Sequence, residues 1–190
     1  MHQNTKFHTY KNKESQFWNI KDNQETLRQI LDCDKVFINE ITTESDKHLG
    51  CDAVAKKRYS NSIISQSVSL RIRYDNRFTD LNFRNHLSNP NSELSKILAK
   101  FEHQSNYAKY FVQCFDVTNN KAKFCVKWRT DDIALFVYGK LQDLDVYYKT
   151  STNRYDFPLS EAVQYNAVCY DLSGQELKSV NYQYIIENYR

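Results

Sequence analysis

The alternation of apolar and polar residues from 51 to 74 predicts a β-hairpin. In the second half, Val68, Leu70 and Ile72 fall on one face of a strand, since successive side chains point to opposite sides. The other face carries serines and arginines, namely Ser67, Ser69, Arg71 and Arg73. Small polar residues at 58–62 are typical of the connecting turn. The apolar face is expected to cover a core, and the polar face to line a site or meet solvent.

Patterns on either side of the hairpin predict alternating helices and strands. Apolar residues at helical spacing after Asn23 predict a short helix at 23–31, and the same signs predict another after the Pro90 turn, at 93–101. The β-branched segment 36–43 is either a strand or an extended lead-in. Strands are predicted at 79–84, completing a meander with the hairpin, and at 107–115 and 122–128; the apolar segment 133–138 is of undecided type.

This order of elements predicts the α/β class, with a mixed central sheet that contains an antiparallel meander and is flanked by helices. We expect an N-terminal arm at 1–23, a core domain at 24–140 and a small C-terminal appendage at 141–190. The appendage is rich in aromatic residues around Gly174, a pattern that fits a hairpin and a closing helix. It is either packed on the sheet or used as a dimer contact.

Composition narrows the functional classes. The chain has 26 basic and 23 acidic residues, so its net charge of +3 argues against polybasic binding but allows a local basic patch. No apolar stretch is long enough for a membrane span, and the polar N-terminus does not resemble a signal peptide. We therefore expect a cytoplasmic protein with no membrane association. The five cysteines have no C-x-x-C spacing, so free thiols are expected rather than disulfides or zinc.

Acidic residues at the start of the hairpin are candidates for binding a divalent cation. Hydrolysis of a phosphodiester needs a hard cation, and such a cation prefers carboxylate oxygens. Asp46 and Asp52 are the candidates, with Glu44 just upstream and Glu25 on the preceding helix. Arg71, on the adjacent strand, would then stabilise charge on the phosphate.

The segment with Asp46, Gly50-Cys-Asp52-Ala, a turn and Ser67-Val-Ser-Leu-Arg-Ile-Arg73 resembles the core of the PD-(D/E)XK, or restriction-endonuclease-like, superfamily. It is more closely similar to small phage and cyanobacterial members. The resemblance covers about residues 24–136 and implies a Mg²⁺- or Mn²⁺-dependent DNA endonuclease from a phage or mobile element, acting as a homodimer. It implies that Asp52 is the central metal ligand, Asp46 a second acid and Glu25 the helix glutamate of many members.

The chain departs from the superfamily pattern at two positions. Ser69 stands where the resemblance implies Glu or Gln, and Arg71 stands where it implies the catalytic Lys. Arginine stays protonated and is a poor base, although it can clamp a phosphate with two hydrogen bonds. We therefore assign Arg71 to the scissile phosphate. Contacts to the DNA backbone are assigned to Lys56, Arg73 and Arg84.

Two other functional classes stay open on the sequence alone. One is a catalytically inactive member of the same fold that binds nucleic acid, and the other is a protein-binding inhibitor or assembly factor that uses residues 141–190. The acids and arginines also have ordinary interpretations: Asp52 as an acid that ends a strand, and the Arg71 row as a solvated strand face. The set Glu93, Lys96 and Lys100 is predicted to be a solvated helix face.

Overall fold

The computed structural model describes residues 16–38, 50–73, 80–103, 107–115, 122–171 and 173–177. It confirms the mixed α/β class, with one six-stranded sheet, one three-stranded sheet and several helices. The helices are α1 (Lys21–Ile30), α2 (Glu93–His103), α3 (Thr130–Gly139) and α4 (Leu159–Ala162). The strands are β1 (Lys35–Ile38), β2 (Ala53–Tyr59), β3 (Ser62–Ile72), β4 (Asp80–Arg84), β5 (Tyr110–Phe115), β6 (Phe124–Arg129), β7 (Tyr148–Lys149), β8 (Arg154–Pro158) and β9 (Val168–Tyr170).

The six-stranded sheet has the order β1-β2-β3-β5-β6-β9. Its first three strands form the antiparallel part, and β5 runs parallel to β3 after the crossover through α2. The predicted hairpin is confirmed: Ala53 pairs with Val68, and Tyr59 pairs with Ser62 across a two-residue turn. Residues 35–38 form strand β1, so the described part of segment 36–43 is a strand and not an extended lead-in.

The prediction that residues 79–84 complete the meander is wrong. Strand β4 pairs with β8 in the three-stranded sheet, whose order is β4-β8-β7. The reason is that β5 occupies the edge of β3 in the parallel direction, while Leu81 and Phe83 bury one face of β4 in an aromatic core. The second sheet consequently packs over the main sheet rather than beside β3.

Residues 141–171 supply strands to both sheets. Strand β8 pairs with β4, and β9 pairs with β6 at the edge of the main sheet. The predicted division of the chain at residue 140 stays a prediction. The segment 133–138, left open above, lies in helix α3. Residues 1–15 of the predicted arm and the predicted closing helix beyond residue 177 lie outside the described residues, while Phe17 and Trp18 are buried.

Each face of the main sheet is covered by its own core. Helix α1 lies over one face, where Leu27 and Ile30 pack with Ala53, Val68 and Leu70. The opposite face of the β5–β6 half is covered by the helices and the second sheet through an aromatic cluster: Phe83, Phe111, Trp128, Phe136, Tyr155 and Phe157. The polar face of the β2–β3 hairpin therefore lies beside a packed layer.

The five cysteines are free thiols, as predicted, and four of them are buried. Burial raises the pKa of the Cys169 thiol, which favours its neutral form. Within the ranges that the structure covers, no helix combines the length and the apolar character needed to cross a membrane.

Candidate functional site

Gly50 sets the position at which the chain enters strand β2. Its φ of +55° lies in the left-handed region that glycine adopts without strain, and a Cβ at this position would overlap the ring of Tyr107. The chain can thus pass under Tyr107 and deliver Asp52 to the first position before β2. This explains why the Gly50-Cys-Asp52 order matters: the glycine provides the close approach and the aspartate follows it by two residues.

The Asp52 carboxylate is fixed by its contacts with strand β3. Oxygen Oδ2 accepts a hydrogen bond from the backbone N–H of Leu70 at 2.7 Å and one from Ser69 Oγ at 3.2 Å. The guanidinium nitrogen Nη1 of Arg71 lies 3.5 Å from the same oxygen. The structure therefore brings Asp52 and Arg71 to the same side of the sheet. It also gives Asp52 the strand-ending role that the sequence left open, because Leu70 N–H is satisfied by this side chain.

Arg71 joins Asp52 to a second carboxylate, that of Glu93. Its Nη2 donates to Glu93 Oε1, and its Nη1 also donates to the carbonyl of Leu70 at 2.8 Å. Glu93 is the first residue of α2, and its Oε2 accepts a hydrogen bond from the backbone N–H of Arg84 at 2.8 Å. Helix α2, strand β4 and the hairpin thus meet at one acid–arginine–acid cluster.

The cluster is partly shielded from solvent. The side chains of Asp52, Arg71 and Glu93 are 25%, 17% and 13% exposed, so the charges interact more strongly than they would on an open surface. Arg84 is more accessible, with 48% of its side chain exposed and its Nε 4.0 Å from Glu93 Oε1. The cluster thus contains two carboxylates and two guanidinium groups, whose formal charges cancel.

Glu93 is the functional candidate that sequence reasoning missed, and the prediction that it lies on a solvated helix face is wrong. It is mostly buried and paired with Arg71. A helix-starting glutamate is common, and its contact with Arg71 spans 22 residues, so no local spacing points to it. Of the same set, Lys100 bonds Thr130 and Asp131 on α3, which places it away from the cluster.

Arg73 is buried, and its role as a DNA backbone contact stays a prediction. Only 7% of its surface is exposed, its Nη1 donates to the carbonyl of Asp80 at 3.3 Å, and it contacts Asn82 Oδ1. These contacts tie the end of β3 to β4. Arg73 therefore helps to join the two sheets. Lys56 and Arg84 are more accessible cations.

Next to Arg73, burial raises the pKa of the Asp80 carboxyl, and the nearby Asp156 charge raises it further. A folded-state pKa above the ordinary value of 3.8 means that the folded protein binds the proton more tightly than the unfolded chain. Stability contributed by the protonated form is therefore lost as the pH rises through the raised value. We expect Asp80→Asn to raise the urea midpoint at pH 7 more than at pH 4, and urea denaturation at the two pH values measures the difference.

The other predicted site residues divide into three groups. Lys56 lies exposed on β2, with its Nζ 4.9 Å from the centre of the Phe37 ring. Glu25 forms an exposed pair with Arg28 on α1, on the opposite side of the sheet from the cluster, so the structure does not bring it to Asp52. Asp46 and Glu44 lie outside the described residues.

Asp52 and Glu93 are the carboxylates of the cluster that could hold a magnesium or manganese ion. Mg²⁺ in proteins is often held by one or two carboxylates, its other positions being filled by water and substrate phosphate. Asp52 and Glu93 supply two such carboxylates from two elements, and Arg71 contacts both of them, so an ion bound there would compete with this guanidinium. Over the described parts of the chain, no group of three or more His, Cys, Asp or Glu forms a larger metal site.

Comparison of the chain with known protein families, curated proteins and solved structures gives no match.

Proposed function

We propose that the protein is a divalent-metal-dependent DNA endonuclease. One observation carries the proposal: Arg71 contacts both the Asp52 and the Glu93 carboxylates in a cluster that is partly shielded from solvent. Phosphodiester hydrolysis needs hard oxygen ligands for a cation, and a fixed positive charge for the phosphate oxygens. The cluster supplies both chemical types within contact distance.

Asp52 and Glu93 would hold the Mg²⁺ or Mn²⁺. When bound, the ion would polarise the phosphate and make a water molecule more acidic. Arg71 pairs with the two acids in the absence of substrate, and it pairs with the scissile phosphate when DNA enters. Arg84, nearly half exposed, contacts the neighbouring backbone phosphate. Ser69 keeps Asp52 oriented through its 3.2 Å hydrogen bond.

An arginine remains charged at neutral pH, so Arg71 acts by electrostatic stabilisation and does not take a proton from water. The attacking water, acidified by the ion, would lose its proton to bulk solvent. Two copies of the chain, in a homodimer, would bring one such cluster to each strand of a duplex.

The same cluster also favours a second function, which is DNA binding without cleavage. Arg71 neutralises both carboxylates, and an acid that is paired with arginine attracts a metal ion less strongly than an unpaired one. In that case Arg71 and Arg84 would bind phosphates and no ion would be required.

A plasmid-nicking assay tests the proposal. Purified protein should convert supercoiled DNA to open circles with Mg²⁺ or Mn²⁺ and should not do so with EDTA. An Asp52→Asn preparation, purified in the same way, shows whether a contaminating nuclease is responsible. Salt-dependent DNA binding by the wild type, with no product in either metal, would reject the endonuclease and support the second function.

A further inference from the structure

A groove lies on the hairpin near its turn, lined by residues of β1, β2 and β3. It has a volume of about 700 Å³ and is open to solvent on one side. Its chemistry comes from two exposed aromatic rings, an apolar side chain and three cations: Phe37, Tyr59, Ile63, Lys35, Lys56 and Arg58. Phe37 is 48% exposed and Ile63 is 59% exposed, so both present apolar surface to whatever occupies the groove.

The groove and the cluster lie on the same side of the sheet. Asp52, Lys56 and Arg58 are separated by even numbers of residues along β2, so their side chains point to one face. Phe37 joins this face because it pairs with Val54 in the register of β1 and β2. At about 3.3 Å per residue, Lys56 lies roughly 13 Å along the strand from Asp52.

Small side chains separate the groove from the cluster. Val54 pairs with Ser67, and Lys56 pairs with Ser65, so serines form the β3 side of the intervening surface. Ser67 Oγ is held by the 107–109 segment: it donates to the carbonyl of Tyr107 at 3.5 Å and accepts from the backbone N–H of Lys109 at 3.2 Å. Among the described residues, the row Lys56, Val54 and Asp52 runs along one face of β2 from the groove to the acid–arginine–acid cluster.

The charge of the groove identifies the class of occupant. Its lining has three cations and one carboxylate, Asp34, whose Oδ2 already accepts a hydrogen bond from the backbone N–H of Arg58 at 2.6 Å. The excess of positive charge therefore favours a polyanion over an apolar protein segment that has no acidic residues. The Lys56 ammonium lies over the Phe37 ring, with its Nζ 4.9 Å from the ring centre, so a base that stacks on that face of the ring would displace it.

We propose that this groove binds an unpaired segment of DNA and guides it to Asp52, Arg71 and Glu93. The delivery of the strand to the cluster rests on the proposed function, whereas binding in the groove does not require cleavage. A base stacks on the Phe37 ring, and Lys56 and Arg58 contact the flanking phosphates. An exposed ring favours a single strand because the bases of a duplex are already stacked on one another and would have to be flipped out to reach it.

Fluorescence anisotropy with labelled oligo(dT) and a duplex of equal length tests this inference. The measurements use the full chain in EDTA, so that cleavage cannot affect them. We expect tighter binding of the single strand, and a loss of about 5- to 150-fold with Phe37→Ala, the range that stacking of one base represents. Phe37→Trp should retain the affinity. Phe101→Ala is the matched control, because Phe101 is a comparably exposed ring, 41%, on helix α2.

The dependence on salt tests the phosphate contacts. Replacing both Lys56 and Arg58 by alanine should reduce the slope of log K against log salt by about 1.4, since each phosphate contact on a single strand contributes about 0.7. An oligoribonucleotide of the same length shows whether the groove distinguishes DNA from RNA; binding of either strand that depends on Phe37 supports the stacking site.

Two results would overturn the inference: equal affinity for duplex and single strand with no effect of Phe37→Ala, or equal losses in Phe37→Ala and Phe101→Ala. These failures can be separated from failure of the endonuclease. Binding that depends on Phe37, with no metal-dependent nicking, keeps the groove and rejects the nuclease. Nicking that depends on Asp52, with no effect of Phe37→Ala on binding, keeps the nuclease and rejects the groove. Circular dichroism of each variant shows whether it is folded.

Discussion

Glu93→Gln and Asp52→Asn should each lower the rate of metal-dependent DNA nicking at least about 100-fold, the scale on which an enzyme loses rate when one group that stabilises transition-state charge is removed. Both substitutions remove a carboxylate charge from the cluster around Arg71. Each amide still offers an oxygen to its backbone donor, the N–H of Leu70 for residue 52 and that of Arg84 for residue 93. The variants should therefore fold, and initial rates of plasmid nicking measure the loss.

Glu102→Gln is the matched control for Glu93→Gln. Glu102 lies on the same helix, is about half exposed and bonds the hydroxyl of Tyr138, so its replacement should leave the nicking rate within about twofold. Full activity in both Asp52→Asn and Glu93→Gln would show that the cluster does not take part in the reaction.

Arg71→Lys should bind DNA more weakly than the wild type. A lysine ammonium lacks the planar fork of a guanidinium, so it cannot contact two carboxylates or a phosphate in the same two-pronged way.

The hairpin could be predicted from sequence because its information is local. Alternation along β3 defines which residues share a face, and that face proved to carry both Ser69 and Arg71 beside Asp52. Glu93 could not be predicted in the same way. Its position depends on how α2 crosses between β3 and β5, and the pattern of α2 alone indicates only an amphipathic helix.

The partner of strand β4 in the second sheet also could not be predicted from local sequence. Strand β4 was predicted to join β3, its near neighbour in sequence, whereas its partner Phe157 is far along the chain from Leu81. Aromatic residues in the C-terminal part indicated either packing on the sheet or a dimer contact, and the fold shows that Tyr155 and Phe157 are fully buried in the core between the two sheets. Arg73 is drawn into this junction, which is why a residue on the predicted site face became a link between sheets.

Phe83→Ala is expected to lower the free energy of unfolding by about 3–5 kcal/mol, the usual cost of removing a buried phenylalanine side chain. The ring of Phe83 is fully buried, and its centre lies 4.8 Å from that of Phe111 and 5.2 Å from that of Phe157. It therefore joins β4 to both β5 and β8. Because Arg84 follows it and fixes Glu93 through its backbone, the substitution should also loosen the cluster. Urea denaturation measures the loss of stability.

The comparison with Phe101→Ala separates this effect from a general sensitivity to losing an aromatic ring. Phe101 is 41% exposed and has Tyr138 as a ring neighbour at 5.8 Å, so the same substitution there removes less buried surface and leaves no enclosed cavity. We expect a cost well below that of Phe83→Ala. If the two costs were equal, the junction between the sheets would not depend on Phe83. A much larger cost for Phe83→Ala, together with loss of Arg71-dependent DNA binding, would show that the second sheet holds Glu93 in place.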